Sequence, residues 1–182
     1  MCVCVCVCVC VCVCGYERRT TIVARELDRH GIDIAAPSET RCAGSTQFEE
    51  VGAGYTFFCT GQPGGEMRQR GVGFAIRSTV VKSLKATPHG TSPRLMTLQL
   101  NVEGGRTATI LSCYAPTLAA AQDEKDVFYS QLTRAVATVP HSHKLFVLGD
   151  FNARVGRDHE LWTKVMGSHG VRNGNSSGSM LL

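Results

Sequence analysis

Apolar and polar side chains alternate along this chain in the two periods that distinguish helices from strands. Residues 17–30 carry an apolar stripe at helical spacing and end at Gly31, so an amphipathic helix is predicted there. Residues 119–138 predict a second and longer helix, whose inward side is formed by Val127, Phe128, Leu132, Ala135 and Val136. Short apolar or alternating runs predict strands at 32–36, 55–59, 72–76, 80–85, 95–102, 106–113 and 145–148.

The connections between these elements follow from glycine and proline. A Gly104-Gly105 pair joins residues 95–102 to residues 106–113 and predicts a hairpin. The glycine-bearing stretches 42–54 and 61–71 are expected to be loops, and a Gly/Ser/Asn-rich run extends from about Trp162 to the last residue. Helices and strands in this order predict an α/β domain.

The stretch 145–148 is the most informative strand. Its successive apolar residues predict a central strand that is buried on both faces of a sheet. Asp150 and Asn152 follow Gly149, and the two-residue period of extended chain places both side chains on one side. Ligands of open α/β sheets collect at such strand ends. An Asx turn at the exit of a strand would need the same residue types.

Two other predicted strands end in polar side chains, Glu39 and Tyr114. A carboxylate that holds a hard cation, a phenol that contacts a phosphate oxygen and a second carboxylate that orients water would suit metal-dependent phosphate chemistry. Each residue also has an ordinary alternative. Glu39 could be a solvated acid paired with Arg41, and Tyr114 could be a half-buried tyrosine before a turn.

Composition restricts the class of protein. With 182 residues, 43% of them hydrophobic, the chain has room for one soluble domain. No apolar run is long enough to span a bilayer, so no membrane partner is expected. The net charge of +4 suits an anionic partner, although it is below the strongly basic balance of many nucleic-acid-binding domains.

Seven of the ten cysteines alternate with valine between residues 2 and 14. We interpret residues 1–14 as a low-complexity Cys-Val repeat, and residues 15–182 as the domain. The repeat is what a translated GT dinucleotide tract would produce; a thiolate cluster for zinc or copper(I) is the alternative. We expect the repeat to pair partly with a sheet and to bind no metal. The scattered Cys42, Cys59 and Cys113 predict reduced thiols, hence an intracellular protein, with the nucleus as one option.

Three motifs in a fixed order carry a family resemblance. They are Ser-Glu-Thr-Arg at residues 38–41, Tyr-Ala-Pro at 114–116 and Gly-Asp-Phe-Asn-Ala-Arg-Val-Gly at 149–156. Together they resemble the endonuclease/exonuclease/phosphatase superfamily. The full sequence of these motifs is similar to one branch of that superfamily, the craniofacial development protein 2-like proteins and non-LTR retrotransposon endonucleases. The resemblance runs from about Arg18 to the C-terminus.

This resemblance implies a DNase-I-like sandwich of two mixed β-sheets flanked by helices, and a hydrolase that cleaves phosphodiesters with Mg²⁺ or Mn²⁺. It implies that Glu39 is the metal ligand and that Tyr114 contacts the phosphate. Asp150 would orient or deprotonate the attacking water, and Asn152 would hold the phosphate or that water. Two arginines are weaker candidates for contacts to a nucleic-acid backbone: Arg94 and Arg154.

The chain also departs from the family pattern. No asparagine precedes Glu39, no Ser-Asp-His-like element follows the third motif, and Pro37 removes a ladder donor near Glu39. We therefore expect a domain that is incomplete at both ends, a truncated and inactive fragment of an endonuclease-type enzyme whose partner is nucleic acid, with DNA favoured. A phosphatase of the same superfamily, acting on inositol phosphates or lipids, and a non-catalytic relic that serves as a binding module are the alternatives.

Overall fold

The computed structural model describes residues 17–50, 52–62, 70–160, 162, 166–167, 169–170 and 173–182. The Cys-Val repeat therefore lies outside the described residues, and so does the prediction that it pairs with a sheet. Within the described part the helices are α1 (Glu17–Arg29), α2 (Ser78–Val81), α3 (Gln122–Ala137) and α4 (Ser176–Leu181). The strands are β1 (Ile34–Ala35), β2 (Ser45–Glu50), β3 (Tyr55–Gly61), β4 (Gly71–Arg77), β5 (His89–Ser92), β6 (Leu95–Val102), β7 (Arg106–Tyr114) and β8 (Lys144–Asp150).

These strands form two four-stranded sheets. The first has the order β1-β4-β3-β2 and is antiparallel throughout. The second has the order β5-β6-β7-β8; its first three strands are antiparallel, and β8 runs parallel to β7. The predicted hairpin is confirmed as β6 and β7, which are joined by a short turn at Glu103–Gly105.

The two sheets pack face to face around one hydrophobic core. This core takes alternate side chains from both sheets, as the two-residue period requires. Its members include Phe58, Phe74, Ile76, Leu98, Leu100, Ile110 and Tyr114. The predicted fold class, a DNase-I-like α/β sandwich, is confirmed.

Helices cover the outer faces of the sandwich. Ala24 and Leu27 of α1 pack on the outer face of the first sheet against Tyr55 and Phe57. The predicted extent of α1 is confirmed within one residue, and Gly31 follows it with φ of 63°. Helix α3 covers part of the second sheet through Phe128 and the residues around it. Within the described residues, no helix combines the length and the apolarity needed to cross a membrane.

Several local predictions were wrong. Residues 42–54 are not all loop, because β2 forms there as an edge strand whose side chains are mostly exposed. Residues 80–85 are not a strand; α2 and a turn occupy that stretch. The structure also adds β5 and α4, which the sequence pattern did not indicate. On α3, Val127 and Val136 are exposed by 54% and 37%, against the prediction that they face inward.

The largest correction concerns β8. Among the described strands, β8 lies at the edge of the second sheet with β7 as its neighbour, and it is not central there. Its first four residues are exposed and Leu148 is buried. An apolar run predicts a strand, but the neighbours that cover a strand come from distant parts of the chain. The prediction of a strand buried on both faces was therefore wrong.

Candidate active site

Two of the predicted site residues are joined directly across the sandwich. The Tyr114 hydroxyl, at the end of β7, donates a hydrogen bond of 2.9 Å to Oε1 of Glu39. Glu39 lies in the segment after β1, so the bond connects the two sheets where these strands end. A carboxylate and a phenol that are 75 residues apart in the sequence thus occupy one site.

Burial sets the chemistry of Tyr114. Its side chain is 7% exposed and belongs to the core between the sheets. Burial, followed by the hydrogen bond to the Glu39 carboxylate, raises its pKa to about 12. The phenol is therefore a neutral donor at physiological pH.

Asp150 lies beside Tyr114 on the neighbouring strand. The two are register partners in the parallel pair of β7 and β8. Ala115, the residue that follows β7, donates its backbone N–H to the Asp150 carbonyl at 2.8 Å. Paired residues of neighbouring strands point to the same face, so Asp150 follows Tyr114 toward the first sheet.

Asn152 is fixed by two hydrogen bonds. Its backbone N–H donates to Oδ1 of Asp150 at 2.8 Å, and its side-chain amide donates to the Ala115 carbonyl at 2.9 Å. The first bond is the Asx turn that the sequence allowed. An amide group has two N–H donors, so the second bond leaves one of them for another partner.

The glycine before Asp150 is required by the approach of the two strands. Gly149 has φ of 142°, and a Cβ atom there would lie 1.9 Å from the Cys113 carbonyl oxygen. A side chain at this position would push β8 away from β7, and Asp150 would move away from Tyr114 with it. The Gly-Asp pair of the third motif thus has a steric reason.

Backbone strain is concentrated at the same place. Among the described residues, the non-glycine positions with positive φ are Glu39, Arg41 and Asn152, at 55°, 54° and 45°. Residues other than glycine rarely adopt this conformation, although asparagine tolerates it. Such strain persists where the surroundings hold it in place, and it is common at functional sites.

The segment that carries Glu39 packs closely on glycines of β4. The Pro37 carbonyl accepts a hydrogen bond of 3.0 Å from the Gly73 N–H, and Ser38 forms a bridge with Val72. Pro37 therefore takes part in pairing through its carbonyl, although it lacks an N–H. A Cβ atom at Gly71 would lie 2.4 Å from Oγ1 of Thr40, so only glycine allows this approach.

Arg94, which was predicted to contact a nucleic-acid backbone, is engaged within the protein. One guanidinium nitrogen donates to the Tyr114 carbonyl at 2.9 Å, and another to the Glu124 carboxylate at 2.7 Å. The guanidinium carbon also lies 5.1 Å from the centroid of the Tyr114 ring. Arg94 thus holds Tyr114 in place. The sequence did not indicate this role, because Glu124 lies 30 residues away on α3.

Arg154, the second predicted contact, lies in the loop after Asn152. Its side chain is exposed, and its backbone is tied to the tail of the chain by Asn175. The Asn175 side chain accepts N–H groups of Arg154 at 3.0 Å and Gly178 at 2.8 Å, and so it also caps α4. Arg154 can therefore reach a ligand from outside the protein, and its role remains a prediction.

The carboxylates of the site determine how a divalent cation could bind there. Within the described residues, no three His, Cys, Asp or Glu side chains come together as a group that could hold a metal. Mg²⁺ often binds through one or two carboxylates and completes its shell with water and substrate phosphate. Glu39 can supply one carboxylate for that hydrated type of binding and would not form a cage made of protein ligands alone.

Sequence comparison identifies the family. A sequence profile of the Endonuclease/Exonuclease/phosphatase family matches residues 13–173. The chain belongs to this family. Craniofacial development protein 2 of Tragulus javanicus and of Bos taurus are each 27% identical to it, over 161 and 165 residues and 88% of this chain. The matches span 27% and 26% of the relatives' own lengths. They confirm the predicted craniofacial development protein 2-like branch.

Solved structures of similar fold include TDP2 and an AP endonuclease. A humanized D. rerio TDP2 with 14 mutations has a TM-score of 0.52 and 14% identity, covering 81% of this chain and 61% of TDP2. The AP endonuclease LMAP from Leishmania major has a TM-score of 0.52 and 16% identity, covering 81% and 54%. D. rerio TDP2 complexed with single strand DNA product has a TM-score of 0.51 and 15% identity, covering 84% and 59%. At these identities the likeness establishes the fold.

Proposed function

We propose that this chain carries a phosphodiester-hydrolysing site for nucleic acid, with DNA as the favoured substrate. The observation that carries the proposal is the 2.9 Å bond between Tyr114 and Glu39, beside Asp150, at one end of the sandwich. The family supports hydrolysis of phosphate esters. The similar fold of D. rerio TDP2, solved with single strand DNA product, supports nucleic acid as the partner.

Glu39 would hold a hydrated Mg²⁺ or Mn²⁺ ion, which when bound would stabilise negative charge on the phosphate. A phenol has one donor, so Tyr114 can donate to a phosphate oxygen only after it releases Glu39. That release removes the Tyr114 hydroxyl from Oε1 of the Glu39 carboxylate. Asp150 would orient the attacking water and accept its proton, and the remaining N–H of Asn152 would donate to the phosphate.

We also propose that residues 1–182 by themselves hydrolyse DNA no faster than background. In the described part of the chain, no group of three or more His, Cys, Asp or Glu side chains is placed to hold an ion, so Glu39 would bind one weakly. Catalytic groups act as a unit, and loss of one such group in other hydrolases removes roughly 10⁴-fold of the rate. DNA binding should be weak and should fall steeply with salt, because it rests on phosphate contacts.

The test is a plasmid-nicking assay with Mg²⁺ on the unchanged chain, Glu39→Gln and Asp150→Asn, paired with a Mn²⁺ titration followed by electron paramagnetic resonance. Glu103→Gln is the matched control, because this acid lies in the hairpin turn at the opposite end of β7. We expect no nicking above background, and weak Mn²⁺ binding that is lost in Glu39→Gln alone. Nicking by the unchanged chain that disappears in both site variants would refute the inactivity. Mn²⁺ binding that survives Glu39→Gln would refute the metal role.

A further inference from the structure

One carboxylate on α3 joins two arginines that belong to different sheets. Oε1 of Glu124 lies 2.7 Å from Nη2 of Arg94 and 2.8 Å from Nη2 of Arg70. Arg94 directly precedes β6 of the second sheet, and Arg70 directly precedes β4 of the first sheet. Glu124 therefore connects the two sheets through a single oxygen atom.

The link through Arg94 ends on Tyr114. Nη1 of Arg94 donates to the Tyr114 carbonyl at 2.9 Å, and the Arg94 carbonyl accepts the Tyr114 backbone N–H at 3.0 Å. The guanidinium carbon lies 5.1 Å from the centroid of the Tyr114 ring. The Arg94 side chain is largely buried, and such a charge needs a carboxylate to offset it. Glu124 thus keeps the guanidinium against Tyr114.

The link through Arg70 ends on the segment that carries Glu39. Arg70 is followed by Gly71, whose carbonyl accepts the Thr40 N–H at 3.2 Å. Thr40 is fully buried and lies next to Glu39 in the sequence. Gly71 and Thr40 are too close for a side chain to fit between them. A movement of Arg70 therefore moves the backbone beside Glu39.

We propose that Glu124 is a positioning residue of the candidate site. It orients Tyr114 through Arg94. Through Arg70, it holds the segment of Glu39 at the distance that the 2.9 Å Tyr114–Glu39 bond requires. The inference rests on the proposed function, since the site that Glu124 serves is the one proposed there.

The shared oxygen makes the two links depend on each other. A carboxylate oxygen offers about two acceptor sites, and the two guanidinium groups occupy those of Oε1. Glu124→Gln keeps the shape of the side chain and removes its charge. Hydrogen bonds to a neutral group are roughly half as strong as those between two charges, so both links should loosen together. Loss of one arginine should loosen its own link alone.

The test is NMR of the full chain, which reads the two ends of the network separately. With 3-fluorotyrosine in the chain, the ¹⁹F signal that is missing from Tyr114→Phe belongs to Tyr114. With ¹⁵N-threonine, the amide signal that is missing from Thr40→Ser belongs to Thr40. Glu124→Gln should shift both signals, because it loosens both links.

The arginine variants show whether Glu124 acts through its partners. Arg70→Met should shift the Thr40 signal and leave that of Tyr114 in place, whereas Arg94→Met should shift Tyr114. In the Arg94→Met chain, Glu124→Gln should move Tyr114 no further, since residues of one network are not additive. A structural effect that is spread over the whole domain would add to the shift.

Asp123→Asn is the matched control. Asp123 is an exposed acid beside Glu124 in the first turn of α3, so its loss changes the charge at this helix end equally. It should shift neither signal. If Glu124→Gln does not fold, Glu124→Asp takes its place. Its shorter side chain cannot hold both guanidinium groups at these distances, so it should shift both signals by a smaller amount.

The proposal is overturned by a Tyr114 or Thr40 signal that stays in place when Glu124 is changed. An additive Tyr114 shift in the double variant, or a shift of either signal in Asp123→Asn, would overturn it equally. The first result would mean that Glu124 does not hold the site, and the others that it does not act through the arginines.

Mn²⁺ binding followed by electron paramagnetic resonance connects the inference to the proposed function. Glu124→Gln should weaken the affinity about 10-fold, which is typical for residues that orient a metal ligand, and Asp123→Asn should leave it unchanged. If the unchanged chain binds no Mn²⁺, the metal role of Glu39 is wrong, and the NMR shifts still decide the role of Glu124. If the unchanged chain and Glu124→Gln bind Mn²⁺ equally well, Glu124 does not position Glu39.

Discussion

Strands β3 and β8 carry similar apolar runs and differ in what surrounds them. Every residue of β3 is buried, whereas the first four residues of β8 are exposed. β3 lies between β2 and β4, with α1 over one face of its sheet and the second sheet over the other. β8 has β7 as its neighbour in the described sheet, and α3 packs mainly over Leu95, Leu111 and Cys113 of β6 and β7.

The difference shows what a run of apolar residues encodes. It determines that the backbone will be extended, which is a local property of the residues. Whether the strand becomes a central or an edge strand depends on pairing with distant segments of the chain. The apolar run itself carries no information about those segments. In this protein the edge strand β8 is also the one that presents Asp150 next to Tyr114. The candidate site therefore adjoins the less protected region of the fold.

The largest expected effect is on stability, and it compares one phenylalanine of β3 with one of β8. Phe57 of β3 is 1% exposed and stacks on Phe48 with ring centroids 5.3 Å apart. Phe57→Ala should lower the free energy of unfolding by about 3–5 kcal/mol, because it removes buried area and leaves a cavity. Phe146→Ala, at a position 39% exposed, should cost about 1–2 kcal/mol.

Urea unfolding of both variants at low protein concentration measures this pair, and an unchanged m-value would show that the same transition is compared. Equal losses would contradict the comparison, since they would mean that Phe146 is covered as completely as Phe57.

The next largest loss of stability is expected for one of two arginine–carboxylate pairs that have equal N–O distances. Arg94–Glu124 and Arg29–Glu26 both measure 2.7 Å, but the Arg94 side chain is 14% exposed and that of Arg29 is 65% exposed. Arg94→Met should cost about 2–3 kcal/mol, because it leaves the Tyr114 carbonyl without its donor and weakens the pairing of a partly buried Glu124. Glu124 keeps its 2.8 Å pair with Arg70, which limits the loss.

Arg29→Met is the control and should change stability by less than about 1 kcal/mol, since exposed ion pairs contribute little. Arg94→Lys separates charge from geometry, because an ammonium cannot reach both partners as a planar fork does. Full retention of stability in Arg94→Lys would show that charge alone matters at this position.

Sequence could predict the parts of the fold that have local signals. The helical period of α1 with Gly31 after it, and the alternation around Gly104-Gly105, both lead directly to the observed elements. β2 was missed because its side chains are mostly polar and exposed, and it forms through backbone pairing with β3. The four residues of α2 are too few for a helical period to be recognised.

The candidate site was predicted through its motifs, and the structure brings Glu39, Tyr114, Asp150 and Asn152 together. Their catalytic roles remain predictions. The role of Arg94 could not be predicted, because it depends on the meeting of β6, β7 and α3, and an arginine near a motif suggests a ligand contact equally well. Supporting residues of this kind are defined by tertiary contacts.

The smallest expected loss of stability at neutral pH comes from removing the hydroxyl of one tyrosine in each sheet. Tyr114→Phe removes the hydrogen bond to Glu39, and Tyr55→Phe removes the bond from the β3 tyrosine to the Ile32 carbonyl. Each loss should be about 1 kcal/mol, the net value of an ordinary hydrogen bond. The difference between the two sheets should appear in alkaline solution, where the tyrosines ionise.

Burial, followed by the Glu39 carboxylate, raises the pKa of Tyr114 from the usual 10.0 to about 12. The folded state then holds this proton more tightly than the unfolded state, so its contribution to stability is complete below about pH 10 and is lost as pH rises toward about 12. The pKa of Tyr55 is also raised by burial, but the Arg77 guanidinium opposes that rise. Stability should therefore fall with alkaline pH in the unchanged chain and in Tyr55→Phe, and fall less in Tyr114→Phe. Urea unfolding at a series of fixed pH values measures all three, and parallel curves for Tyr114→Phe and the unchanged chain would mean that the pKa of Tyr114 is not raised in the folded protein.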